Sequence, residues 1–156
     1  PIATSDWIPF IRQKFEKNGQ TISDGQIAKI CDAVDNQSSY VQQLAWNVML
    51  NSDAVIEDAD VEAAIDELID QNTVLFMQQT EGLSSYQMNF LKALAAGETS
   101  DFTSVCVMKK YNLGSKSNIS RIQEALVRRE LIEKSGGRVL IADPVFRLWL
   151  LREYMR

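Results

Sequence analysis

Residues 112–149 read NLGSKSNISRIQEALVRRELIEKSGGRVLIADPVFRLW, and the spacing of turn and apolar residues in this stretch decides the fold. Asn112-Leu113-Gly114 is turn chemistry, because asparagine and glycine tolerate positive φ. From Ser115 to Arg129, residues Ile119, Ile122, Ala125 and Leu126 recur at the spacing of one buried helical face. Ser115 stands where an N-cap oxygen can accept an orphan backbone N–H. Leu131 to Lys134 and Arg138 to Ile141 are short runs separated by Ser135-Gly136-Gly137, which predicts a hairpin. Asp143 and Pro144 supply a cap and a first helical residue for a closing helix. Upstream, Thr103 to Tyr111 reads as the helix before the turn. Ser84 to Ala96 reads as a helix opened by a capping box of Ser84 and Gln87. Three helices, a hairpin and a final helix make a winged helix-turn-helix with a two-stranded wing.

The outer side of the Ser115–Arg129 helix carries Lys116, Ser117, Asn118, Ser120, Arg121, Gln123 and Arg128. In helix-turn-helix proteins the second helix of the motif enters the major groove with its N-terminal residues foremost. Ser, Asn and Arg side chains bond phosphates or base edges. The candidate DNA-binding residues are therefore Lys116, Ser117, Asn118, Ser120 and Arg121, with Lys134 and Arg138 flanking the wing turn. The same face also reads as an ordinary solvated surface. Glu124, Glu130 and Glu133 dilute its charge, and winged helices serve as protein-contact modules too.

Charge divides the chain. Residues 1–82 carry four basic residues against fourteen acidic ones, a net of −10. Residues 83–156 carry twelve against seven, a net of +5. Such asymmetry predicts two modules and a polyanionic or acidic partner for the second, or else attraction between the halves. Histidine is absent, which excludes Ser-His-Asp and Cys-His catalysis and removes the commonest zinc ligand. No apolar run is long enough to span a bilayer and no signal peptide is evident, so the expectation is a cytoplasmic, metal-free chain without a membrane. Cys31 and Cys106 both lie in apolar helical patterns and read as buried free thiols. Pro1 in place of a methionine suggests a fragment.

The N-terminal half reads as four helices. Asp6 caps a first holding Trp7, Phe10, Ile11 and Phe15 inward, with Pro9 in its first turn and Asn18-Gly19 at its end. Ser23 and Gln26 open a second, with Ile27, Ile30, Cys31 and Val34 buried. A third buries Tyr40, Val41, Leu44, Ala45, Val48 and Met49. A fourth starts at Asp58 or Asp60, runs through Val61, Ala64, Ile65, Leu68 and Ile69, and continues towards Val74, Leu75 and Phe76. Glu57, Asp58, Asp60 and Glu62 lack the glycine and ligand spacing of an EF-hand loop. They suit a helix N-terminus instead. The fold class is mainly α: a helical lid-like bundle over 1–81, joined at Glu81-Gly82-Leu83 to a winged helix over 82–156.

Three segments carry a family resemblance. Leu83-Ser84 to Gln87, Ser115 to Ile132, and Asp143-Pro144 to Trp149-Leu150 (DPVFRLWL) resemble the C-terminal end of archaeal-type AAA P-loop ATPases, related in style to signal-transduction ATPases. Ser39 to Ala45 (SYVQQLA) is similar to the lid motif of that family. The resemblance implies a helical lid and a winged helix belonging to a larger ATPase, with the P-loop domain as the missing N-terminal partner and ATP and Mg²⁺ as cofactors of the intact parent. This chain departs from the family in having no G-x-x-x-x-G-K-[ST] sequence and no acidic Walker B site after a predicted strand. Asn36-Gln37-Ser38-Ser39 also lacks the arginine that senses a γ-phosphate in many such lids. The expectation is a regulatory or interaction module with no cofactor and no ATPase activity of its own, contacting DNA or a protein partner. The alternative is a stand-alone winged-helix DNA-binding regulator whose acidic helical half dimerises or senses a ligand.

Overall fold

The computed structural model describes residues 1–155. Among them the chain is mainly helical: α1 (Thr4–Lys17), α2 (Asp24–Ala33), α3 (Ser38–Asn51), α4 (Asp58–Thr80), α5 (Ser85–Ala95), α6 (Val105–Tyr111), α7 (Lys116–Arg128), β1 (Ile132–Ser135), β2 (Arg138–Ile141) and α8 (Pro144–Tyr154). Among the described residues no helix is long and apolar enough to cross a membrane. The chain divides into two compact units, Pro1–Asn72 and Thr73 to the C-terminus. The division falls inside α4 rather than at Gly82. Phe76, on the last turns of α4, is fully buried against Phe146 and Trp149 of the second unit.

In the first unit both halves of the expected capping box are present. Ser23 Oγ accepts from Gln26 N at 3.1 Å, and Gln26 Oε1 accepts from Ser23 N at 2.9 Å. The amide of Gln26 then donates to Ile56 O at 2.8 Å, tying the start of α2 to the segment that leads into α4. Trp7, Ile11 and Phe15, Ile27, Ile30, Cys31 and Val34, Val41, Leu44 and Val48, and Val61, Ala64 and Leu68 fill the core. These are four helical stripes closing on one another, as period-3.6 patterning requires.

Gln20 holds the unit's irregular part together. It is 7% exposed, and its Nε2 donates to Met49 O at 3.0 Å, Ser52 O at 3.2 Å and Asp53 O at 3.2 Å. These are carbonyls at and just past the end of α3, where a helix leaves its acceptors without intrahelical donors. Beside it Thr21 N donates to Ala54 O and Ile56 N to Thr21 O, forming an isolated parallel bridge between Thr21 and Val55. The wing is therefore not the only β pairing. Helix α1 also departs from expectation. Ala3, not Asp6, occupies the cap position, which puts Pro9 in the second turn, and Phe10 is 46% exposed. Val74 and Leu75 are exposed as well; only Phe76 of that trio is core.

In the second unit Ser84 and Gln87 form the second complete capping box. β1 and β2 pair antiparallel, Ser135 opposite Arg138 and Ile132 opposite Ile141. The two-residue loop Gly136-Gly137 has φ of 57° and 77°, the positive pair of a type I′ turn. Val139 N donates to Thr99 O at 2.9 Å, so the wing is anchored to the loop after α5. Asp143 caps α8 through Val145 N at 2.8 Å and Phe146 N at 3.3 Å, with Pro144 at the start of the helix. The apolar face of α8 packs on α5 and β2. Arg129 reaches back to Gln79 O and Glu81 O, capping the C-terminal end of α4 with a cation.

The cysteines differ from each other. Cys31 is fully buried, and burial, with Asp32 as the second cause, pushes its thiol up to about 11. Cys106 is exposed, which corrects the expectation of two buried thiols. With Val105 it lies on the outer side of α6, a helix with no buried residue; Phe102, in the loop before it, fills the core against Phe90.

Two outcomes follow for the intact chain. Gln20→Leu removes the donor shared by three carbonyls and should destabilise the first unit by about 1–3 kcal/mol, read from the urea midpoint. A disulfide-exchange reagent at pH 8 should titrate one thiol in the native chain, Cys106, and a second only in denaturant. Because the folded-state pKa of Cys31 is raised, its contribution to stability is complete below the unfolded value and is lost as pH rises through about 11. A wild-type denaturation midpoint that falls no faster than that of Cys31→Ala over this range would contradict the assignment.

Candidate nucleic-acid interface

The candidate surface begins at the turn between α6 and α7. Ser104 caps α6 through Val107 N at 3.3 Å. The helix ends at Asn112, which takes the left-handed conformation at φ 54°. Leu113 is fully buried, and its N–H donates to Met108 O at 3.0 Å. From α5, the Asn89 amide donates to Asn112 O at 3.0 Å and fixes the turn from the other side. Gly114 has φ +85°; a Cβ there would lie 2.9 Å from Asn118 Nδ2 and 3.4 Å from the Tyr86 ring. The turn thus needs glycine for its backbone angle and for the side chains that crowd it.

Ser115 occupies the N-cap of α7 with extended backbone, but its side chain makes no cap bond. Its Oγ lies 3.1 Å from Ser117 Oγ instead. Asn118 is half-buried and donates to Leu113 O at 3.3 Å. Two of the predicted readers, Ser117 and Asn118, are therefore engaged in holding the helix start. Lys116, Ser120 and Arg121 are exposed. Neither Lys116 nor Arg121 has a carboxylate partner among the described residues. The first turn of α7 holds no acidic residue, so the positive end of the helix dipole is not neutralised locally. Tyr86, Gly114, Ser115, Ser117, Asn118 and Arg121 line a shallow polar depression of about 320 Å³.

The wing cations are exposed but do not share a face. Lys134 is paired with Val139 and Ser135 with Arg138. Directly opposed residues project to the same side of a ribbon and successive ones to opposite sides. Lys134 thus belongs to the side of Ile132 and Val139, and Arg138 to the side of Glu133. Glu124 lies one turn after Arg121 on α7 and is exposed, which bounds the basic surface to the first turns of that helix.

Two residues that the sequence pattern does not single out belong to this surface. Tyr86 on α5 shares the depression with Arg121. Lys109, in the last turn of α6, lines a second depression that also includes Gly114, with Val105, Met108 and Asn112. The Lys109-Lys110 pair beside a turn was the available signal for the second. Nothing in the local pattern marks Tyr86, because its proximity to Gly114 is a tertiary contact.

With this geometry in place, a family model described as "Probable winged helix domain" matches residues 74–152. No curated protein matches the chain. Among solved structures, the Walker-type ATPase of Pyrococcus abyssi superposes with a TM-score of 0.70 at 17% identity. The match covers 96% of this chain and 42% of that one, in its C-terminal part. The chain thus spans less than half the length of the ATPase it resembles, and the likeness is one of fold.

Gly114→Ala should destabilise the intact chain by about 1–2 kcal/mol, the cost of a left-handed backbone for a residue with a Cβ. It should also displace the Asn118 amide from Leu113 O. Thermal denaturation together with the Asn118 side-chain amide signal in an NMR spectrum measures both effects; an unchanged midpoint and an unmoved amide would refute the crowding argument.

Proposed function

The chain belongs to the family of probable winged helix domains, and we propose that it is the lid and winged-helix C-terminal region of an AAA-type ATPase, a regulatory and interaction module whose winged helix contacts DNA. The observation that carries this reading is the extent of the shared fold. It runs over 96% of the chain, so it takes in the helices before Asn72 as well as the winged helix. A free-standing winged-helix regulator has no need of that particular helical companion. In the intact protein the lid would move with nucleotide state, and its immediate partner would be the P-loop domain.

The residues present do not fit a nucleotide. The chain has no G-x-x-x-x-G-K-[ST] loop to cradle phosphates and no arginine near Asn36–Ser39 to sense one. ATP and Mg²⁺ accordingly belong to the P-loop domain of the parent in this reading, and the chain is not itself an enzyme. A cytoplasmic setting is part of the same proposal, supported by the two unpaired thiols Cys31 and Cys106.

DNA contact rests on the uncompensated cations Lys116 and Arg121 at the start of α7, within a C-terminal half of net +5. The half of net −10 opposes it by repelling the same duplex over about a Debye length, ~10 Å at 0.1 M salt. Binding by the intact chain should therefore be weak and should fall steeply as salt rises. Fluorescence anisotropy on a short labelled duplex, titrated across salt concentrations, tests this. The Lys116→Ala, Arg121→Ala double variant should flatten the slope of log K against log salt by roughly 2, one for each phosphate that is no longer neutralised. Absence of binding even at low salt would turn the surface into a protein-contact face. Equal binding by wild type and variant would place the DNA elsewhere.

A further inference from the structure

Helix α1 packs along α2, and α2 along α3, which leaves a groove of about 350 Å³ walled by α1 on one side and α3 on the other. Its walls include Trp7, Phe10 and Lys14 from α1, and Gln42, Trp46 and Met49 from α3. Nothing in the winged-helix reading uses it. Two of its aromatic residues are unusually open for their size: Phe10 is 46% exposed and Trp46 57%. Large aromatic rings are left in water at a cost that burial against a ligand would recover.

The charge of the groove is the reverse of its surroundings. The first unit holds thirteen acidic residues and four basic ones, yet no acidic residue lines the groove and Lys14 does. Of the other three cations, Arg12 pairs with Asp24 and Lys29 with Glu62, and Lys17 does not line the groove. Lys14 has no carboxylate partner among the described residues; its Nζ lies 4.9 Å from the centre of the Phe10 ring. A further lining group, Trp7 Nε1, is buried and has no acceptor among the described residues. An apolar cleft of a few hundred cubic ångströms with aromatic walls and a few placed polar groups is the usual form of a small-molecule site.

We propose that the groove between α1 and α3 binds a small aromatic anion, a planar ring system bearing one carboxylate or sulfonate. The rings stack between Phe10 and Trp46, and the anionic group pairs with Lys14, which is already held over an aromatic face. The Gln42 amide, at the α3 wall, supplies a neutral donor to the same group. This site is independent of the DNA reading, since it shares no residue with α7 or the wing. Of the alternatives, an amphipathic helix of another protein is less favoured by the modest volume, and a second copy of the chain would have to bring a carboxylate to Lys14.

The probe is anilinonaphthalene sulfonate, an aromatic anion whose fluorescence rises on burial, beside phenylnaphthylamine, which has related rings and no charge. Both are titrated into the intact chain. The sulfonate should bind at one site per chain, and Lys14→Gln should weaken it about two- to fivefold, the range for a solvent-accessible ion pair. Phenylnaphthylamine should be unaffected by Lys14→Gln, and Trp46→Ala should weaken both probes. Equal response of the two probes to Lys14→Gln, or none from either, overturns the proposal. So does sulfonate binding insensitive to Trp46→Ala, which would move the probe to another apolar patch. Sulfonate affinity that falls as protein concentration rises would assign the groove to a second copy instead.

Discussion

The second unit depends on one aromatic cluster. Phe76 of α4 meets Phe146 at 5.3 Å and Trp149 at 5.9 Å, and Phe146 stacks on Trp149 at 5.8 Å with the planes 16° apart. All three are almost completely buried. Each such ring contributes roughly 1.5–3 kcal/mol by leaving water, with further gain from offset or edge geometry. The cluster is what draws the last turns of α4 into the winged-helix unit and gives α8 a fixed place against α5. Asp143 and Pro144 make that placement possible by starting α8 immediately after β2, with its first donors satisfied.

A second constraint, the turn at Asn112–Gly114, governs the surface. Leu113 is pinned into the core while its neighbours on both sides take positive φ. The chain therefore reverses within three residues and presents the start of α7 outward. The same turn consumes polar groups. Asn118 satisfies Leu113 O, and Ser115 and Ser117 lie against each other, so the groups left for a partner are the exposed cations Lys116 and Arg121 with Ser120.

The first unit is held together differently. Its loops are anchored by the buried Ile22 and Ile56 and by side-chain hydrogen bonds: Gln20 bonds three carbonyls, and Gln26 ties two segments together. The buried stripes of α1 to α4 then close the core. The consequence appears on the outer side of α1 and α3, where Phe10 and Trp46 remain open around Lys14.

Local chemistry in the sequence was enough to determine the helices, both capping boxes, the Gly136-Gly137 hairpin and the Asp143-Pro144 start, because each is set by a few consecutive residues and a regular period. It also determined the polar character of α7 and the lack of a phosphate loop. What it could not decide were matters of distance between segments. Phe10, Cys106 and Val105 fit apolar helical patterns yet are exposed, since periodicity marks a face without saying whether anything covers it. The join between units moved from Gly82 into α4 because Phe76 found its partners about seventy residues further along the chain. Tyr86 entered the candidate surface by the same route. Asn118 and Ser117 are a local case of the same kind: the turn at Asn112–Gly114 places Leu113 O and Ser115 Oγ within hydrogen-bond distance of them, while Ser117 stays exposed.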